Sequence, residues 1–123
     1  MIISANLTKN TYTMIKDDGF LAGDFPATGK YDDLIDFGVE YIHPNYQRSF
    51  LDNFSRERLL RKLGQGKREV YSKQYQKGRN GQYQWVSTHV IRVKDRDGDI
   101  CEICLNRVIE GSMGQQRVCR APY

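Results

Sequence analysis

The stretch Asn80-Gly81-Gln82-Tyr83-Gln84-Trp85-Val86-Ser87-Thr88-His89-Val90-Ile91-Arg92-Val93-Lys94 decides the fold. Asn-Gly is the strongest two-residue turn signal, because both residues tolerate positive φ. The residues after it are mostly β-branched or aromatic and carry the longest strand pattern in the chain. Trp85, Ile91 and Val93 share one face of that strand, and Val86 and Val90 share the other. Downstream, Asp97-Gly98 marks a second tight turn, and Ile100 to Ile109 forms a final strand. There Cys101, Ile103 and Leu105 alternate with Glu102, Cys104 and Asn106, so one face is drier than the other. Upstream, Glu69 to Gln76 reads as the partner strand across the Asn80-Gly81 turn. Three antiparallel strands joined by short hairpins follow.

A helical middle precedes them. Tyr31, Leu34, Ile35, Tyr41 and Ile42 fall on one helical stripe, with Gly38 on the same face. Pro44 cannot sit inside that helix and suits the first turn of the next one. Tyr46, Phe50, Leu51 and Phe54 form a second stripe. Ser55 is placed to cap a third helix bearing Leu59, Leu60 and Leu63, with Gly64 as its stop. Before the helices, Met1 to Ala5 and Thr11 to Ile15 read as a hairpin around the turn residues Asn6 to Asn10, and Asp17 to Lys30 as loop. The order β-β-α-α-α-β-β-β predicts an α+β fold: a five-stranded antiparallel sheet with the helical segment packed on one face. There is no β-α alternation to build a parallel sheet.

The 123 residues suit one domain, with residues 1–110 as the folded unit and 111–123 as a tail or linker stub. A hydrophobic fraction of 39% and a charged fraction of 28% argue against disorder. No apolar run reaches the roughly 18 residues of a membrane-spanning helix, and the N-terminus lacks a signal-peptide pattern. A cytoplasmic protein without a membrane partner is expected. Three cysteines, an odd number, fit a reducing compartment. Cys101 and Cys104 lie three apart on a strand, hence on opposite faces, where they serve packing rather than a bridge or a metal. Arg56, Arg58, Arg61, Lys62, Lys67 and Arg68 form a basic run that reads as a solvated helix face. A net charge of only +4 makes a nucleic-acid partner unlikely on these grounds.

The element order and several short motifs resemble the PAS family. Gly81-Gln82-Tyr83-Gln84-Trp85-Val86 is similar to the "G-x-Y-R-W-V" opening of the penultimate strand in the third PAS subfamily. Tyr41-Ile42-His43-Pro44-Asn45 resembles the "hydrophobic-H-P-D/E-D" stretch that starts a later helix. Asp95-Arg96-Asp97-Gly98 resembles the "D-x-x-G" hairpin before the last strand. Phe54-Ser55-Arg56-Glu57-Arg58-Leu59 is similar to a variant found beside diguanylate cyclase (GGDEF) domains in bacterial sensor proteins. Asn45 stands where the family often has an acid and Gln84 where it often has arginine. In place of the usual "D-I-T" exit the chain has Asn106-Arg107-Val108-Ile109-Glu110-Gly111. The resemblance implies a sensory module that binds a small ligand or a partner and regulates an attached output domain, with a diguanylate cyclase as the expected output. It also implies a homodimer.

Family members hold haem, flavin, small metabolites or nothing. The helical middle has no cysteine for a photoactive flavin. Of the two histidines, His43 precedes Pro44 and reads as a cap, while His89 reads as a packed or exposed strand residue. No cofactor is therefore expected. Asp95, Asp97 and Asp99 mimic a calcium loop, but Asn106 occupies the position of the bidentate Glu, so no metal is expected there. No nucleophile elbow, P-loop or dinucleotide turn is present, and no catalytic residue stands out. The chain is expected not to be an enzyme. If a ligand cavity exists between sheet and helices, its expected lining is Phe37, Tyr41, Tyr71, Tyr75, Trp85 and His89, residues that otherwise fill the core. The alternatives are a small-molecule enzyme on a cone-shaped α+β fold and a dimerisation or docking module without a ligand.

Overall fold

Hairpin chemistry organises the sheet in the computed structural model, which describes residues 1–20 and 24–109. Strands β1 (Ile2–Asn6) and β2 (Thr11–Lys16) pair across a turn, as do β4 (Glu69–Lys77) and β5 (Tyr83–Val93). At the second turn Gly81 takes φ +80°, the left-handed region that a side chain disfavours. Strand β6 (Cys101–Val108) closes the last hairpin, where Asp95 Oδ2 accepts from the amides of Asp97 (3.0 Å) and Asp99 (3.2 Å). The aspartates of this turn act as the hairpin residues expected of them.

A two-residue strand, β3 (Thr28–Gly29), pairs with β2 inside the segment expected as loop, so the sheet has six strands in the order β3-β2-β1-β6-β5-β4. Gly29 lets the two strands approach closely there: a Cβ would stand 3.1 Å from the ring of Tyr12. The first and last long strands, β1 and β6, meet in the middle of the sheet.

Helices α1 (Tyr31–Gly38), α2 (Pro44–Phe54) and α3 (Arg56–Gly64) cover one face. Helix α1 stops earlier than its apolar stripe implies. A 3-10 turn, Val39–Tyr41, follows, and Ile42 then bridges to Gln76 on the edge of β4. Ile42 is thus buried as a strand-edge residue and not as a helical one. His43 caps α2, its Nδ1 accepting from the Asn45 amide at 3.1 Å, with Pro44 in the first turn. Ser55 holds the cap position of α3, but its side chain makes no capping bond.

The core lies between helices and sheet. Leu59 and Leu63 of α3 and Leu34 and Ile35 of α1 pack on Ile3, Ala5, Val70, Val90 and Cys104. At roughly 25 cal/mol per Å² of apolar area, these contacts supply the dominant stabilising term. Among the described residues no helix is long and apolar enough to cross a membrane.

Candidate functional site

Strand register fixes which side chains face the helices. Ile3 and Val90 both lie opposite Cys104, and Val70 lies opposite Val90, so these core residues set the parity of every strand. Counting by twos puts Gln74, Gln76, Thr88, Glu102 and Asn106 on the same inner face. Between that face and the helices is a cavity of about 60 Å³. Ile3, Phe25, Tyr31, Leu34, Ile35, Phe50, Phe54 and Cys104 form its apolar walls, Gly38 opens one side, and Gln76, Thr88 and Asn106 supply a polar end.

The polar end is a row of hydrogen bonds across three strands. Gln74 Nε2 donates to Thr88 Oγ1 (2.6 Å), which donates to Asn106 Oδ1 (2.8 Å); Asn106 Nδ2 donates to the Cys104 sulfur (3.3 Å). Sulfur is a weak acceptor, so the Asn106 amide keeps donor capacity. The buried Gln74 Oε1 has no partner among the described residues. At the opposite wall the Tyr31 hydroxyl donates to the Phe54 carbonyl at 2.8 Å, and burial raises its pKa well above the ordinary value. Burial likewise raises the Cys104 thiol, which stays neutral. No side chain of the cavity wall is charged, but Met1 also lines it, and its terminal ammonium donates to the Asn106 carbonyl at 2.9 Å.

Size limits the occupant. A cavity that takes benzene measures roughly 150 Å³, and one water needs roughly 10–15 Å³. About 60 Å³ therefore suits a few waters or a fragment smaller than an aromatic ring.

The six residues expected to line this cavity do not. Tyr71, Tyr75, Trp85 and His89 occupy odd positions, on the opposite face of the sheet. Tyr75 lies directly across from Trp85, and Tyr71 across from His89. The pattern misled because both faces of β5 are apolar, and the aromatic-rich face is the one turned from the helices. On that outer face Tyr75 packs against Trp85 and Tyr83 with centroids 5.2 and 5.4 Å apart. His43 and Tyr46 from the start of α2 reach the same group, Tyr46 standing 5.3 Å from Trp85. His89 pairs with Glu69, and Tyr71 is 54% exposed. Phe37 is 40% exposed and lies outside the cavity, meeting Phe25 edge-on and packing against Tyr41. The structure brings four of the six together, but away from the cavity.

Residues that do line the polar end, Gln76, Thr88 and Asn106, went unnoticed in the sequence. Their signal was a polar residue at the Val86/Val90 parity. Glu102 carries the same signal: it is fully buried on the inner face, and among the described residues neither carboxyl oxygen has a partner. Burial pushes its pKa up to about 8.

The element order, the antiparallel sheet and the one-sided helices define a PAS-like α+β fold. Among solved structures, a sensory box histidine kinase/response regulator from Burkholderia thailandensis E264 is similar, with a TM-score of 0.51 and 12% identity over 88% of this chain and 75% of that one. At that identity the likeness concerns the fold alone. No protein-family model matches the chain, and no curated protein matches it.

Proposed function

We propose that this chain is a PAS-like sensory module without catalytic activity of its own, in which a small uncharged molecule binds the cavity and alters how sheet and helices pack. The observation that carries the reading is the polar wall of Gln76, Thr88 and Asn106 in an otherwise apolar enclosure. A buried polar group without a partner costs about 1–3 kcal/mol, so a ligand bearing one carbonyl or hydroxyl gains there what a hydrocarbon does not. A cationic ligand would lose its hydration beside the Met1 ammonium, with no carboxylate in the wall to pair with. The polar row ties β4, β5 and β6 together, and the outer faces of β4 and β5 carry the aromatic group. Occupancy is thereby coupled to the opposite side of the sheet as a population shift. A second copy of the chain, meeting the same aromatic face in two-fold fashion, is the proposed dimer partner. An attached output domain, a diguanylate cyclase in the first instance, is the proposed recipient of the signal, in the cytoplasm.

Thermal shift with a panel of small uncharged compounds tests this. A ligand at a hundredfold excess over its Kd stabilises by about 2.7 kcal/mol. Gly38→Leu provides the control, because Gly38 lines the cavity and a Cβ there meets no atom within 4 Å, which leaves room for a longer side chain at the cavity's edge. The expected outcome is a stabilising compound whose effect disappears in Gly38→Leu. A panel without effect, or undiminished binding in the variant, overturns the ligand reading.

A further inference from the structure

The structure splits the basic run of residues 56–68 into two groups with different surroundings. The first group is engaged. Arg56 donates to the carbonyls of Leu7 (2.6 Å) and Thr8 (3.2 Å), Arg58 pairs with Asp52 at 3.5 Å, and Lys62 donates to the Asp52 carbonyl at 3.2 Å. The second group, Lys67 and Arg68, lies in the α3–β4 connection, beside a cleft of about 390 Å³ against the β5–β6 hairpin. Arg92 and Lys94 of the hairpin side add two more cations to its wall. The Arg92 amide, bonded to the Arg68 carbonyl at 2.9 Å, fixes the two walls together. Among the described residues, the side chains of Lys67, Arg68 and Lys94 make no ion pair or hydrogen bond.

Two carboxylates share the cleft, and both are engaged in local structure. Asp95 Oδ2 accepts the two hairpin amides, and Asp99 Oδ2 accepts from Asn6 Nδ2 at 2.9 Å and pairs with Lys9 at 3.6 Å. Arg92 spends one nitrogen, Nη1, on the Leu63 carbonyl (2.7 Å) and keeps the rest of its fork. Its position is thereby fixed, so an incoming anion meets an ordered guanidinium and loses less side-chain entropy on binding. Arginine forks and lysine ammoniums together suit phosphate oxygens.

We propose that this cleft, between the α3–β4 connection and the β5–β6 hairpin, is a binding site for the phosphate group of a small phosphorylated molecule. Its volume lies within the roughly 300–1,000 Å³ of small-molecule clefts, so it has room for more than the phosphate itself. The site is separate from the cavity under the helices and stands whether or not that cavity takes a ligand.

Amide NMR titration of the whole chain tests it, with inorganic phosphate, sulfate, a nucleoside diphosphate and single-stranded oligonucleotides of increasing length. The expected result is saturable perturbation centred on Gly66, Lys67, Arg68 and Gly98, with a phosphorylated small molecule binding more tightly than sulfate. Lys67→Ala, Arg68→Ala and Lys94→Ala are each expected to weaken it about tenfold, the equivalent of about 1.4 kcal/mol. All three side chains are exposed, so the variants keep the fold, which their unperturbed spectra check. Arg61→Ala, an exposed cation on α3 that does not line the cleft, leaves affinity unchanged. Equal weakening by Arg61→Ala, or equal response to phosphate, sulfate and chloride, overturns the proposal in favour of bulk screening. Affinity that climbs with oligonucleotide length overturns it in favour of a nucleic-acid surface.

Discussion

Glu102 is buried on the central strand of the sheet with both carboxyl oxygens unpartnered among the described residues, and desolvation holds its pKa at about 8 against an ordinary 4.5. The sign of the consequence follows from proton counting. Between those two values the folded chain holds a proton on Glu102 and the unfolded chain does not, so stability is fully present at low pH and falls as pH rises toward 8. The full loss from this group is on the order of 5 kcal/mol, a large part of a small domain's stability. Glu102→Gln stays neutral throughout. Urea unfolding at pH 5.5 and 8.5 is expected to show a marked drop for the native chain and a much smaller one for Glu102→Gln, since every other titration is shared. Parallel behaviour of the two proteins would refute the assignment. Arg92 is the cross-strand neighbour of Glu102, yet its guanidinium turns to the Leu63 carbonyl. At neutral pH a protonated Glu102 offers it no charge to pair with.

Helix α1 shows how one element depends on a residue far from it in sequence. Its own cap position, Lys30, makes no side-chain bond to the helix. Asn10, in the β1–β2 turn, takes over: its Oδ1 accepts from the Asp32 amide and its Nδ2 donates to the Asp32 carboxylate, both at 3.0 Å. Asn10 also holds φ +59°, a conformation asparagine tolerates better than most residues. Asn10→Ala is expected to cost about 2 kcal/mol, about half from the lost cap and half from the backbone. Asn10→Gly, which keeps only the backbone freedom, should recover about half in the same denaturant series. The sequence marked Asn10 as a turn residue and nothing more, because a cap contributed across 22 positions leaves no local pattern. His43 was legible by contrast, since cap, proline and helix are contiguous. The pattern Tyr31 to Ile42 likewise read as one helix, because the periodicity of an edge residue such as Ile42 coincides with a helical stripe.

At the scale of the molecule, the element order along the chain and the one-sided helices were readable from turn signals and periodicity, while the order of strands within the sheet and its sidedness were not. A sheet with one wet face announces its orientation by alternation. Here Val86 and Val90 oppose Trp85 and Ile91 on adjacent positions, both sets apolar, so parity alone left the cavity on the wrong face. Only contact with Leu34, Leu59 and Leu63 resolves it, and those contacts are long-range. The same ambiguity yields a test of whether the outer face is covered in solution. Val90 is fully buried against the helices, and Ile91, next to it, is half-buried on the outer face. In a monomer, Val90→Ala should cost roughly 2 kcal/mol through a packing defect, and Ile91→Ala less than half of that. If the aromatic face joins two copies, Ile91→Ala becomes as costly as Val90→Ala at high protein concentration and regains its small cost on dilution, because the buried area exists only in the dimer. Chemical denaturation across a hundredfold concentration range, with sedimentation velocity on the same samples, reads both effects. A concentration-independent difference between the two variants, with a single monomeric species, would remove the second copy as the partner of this face.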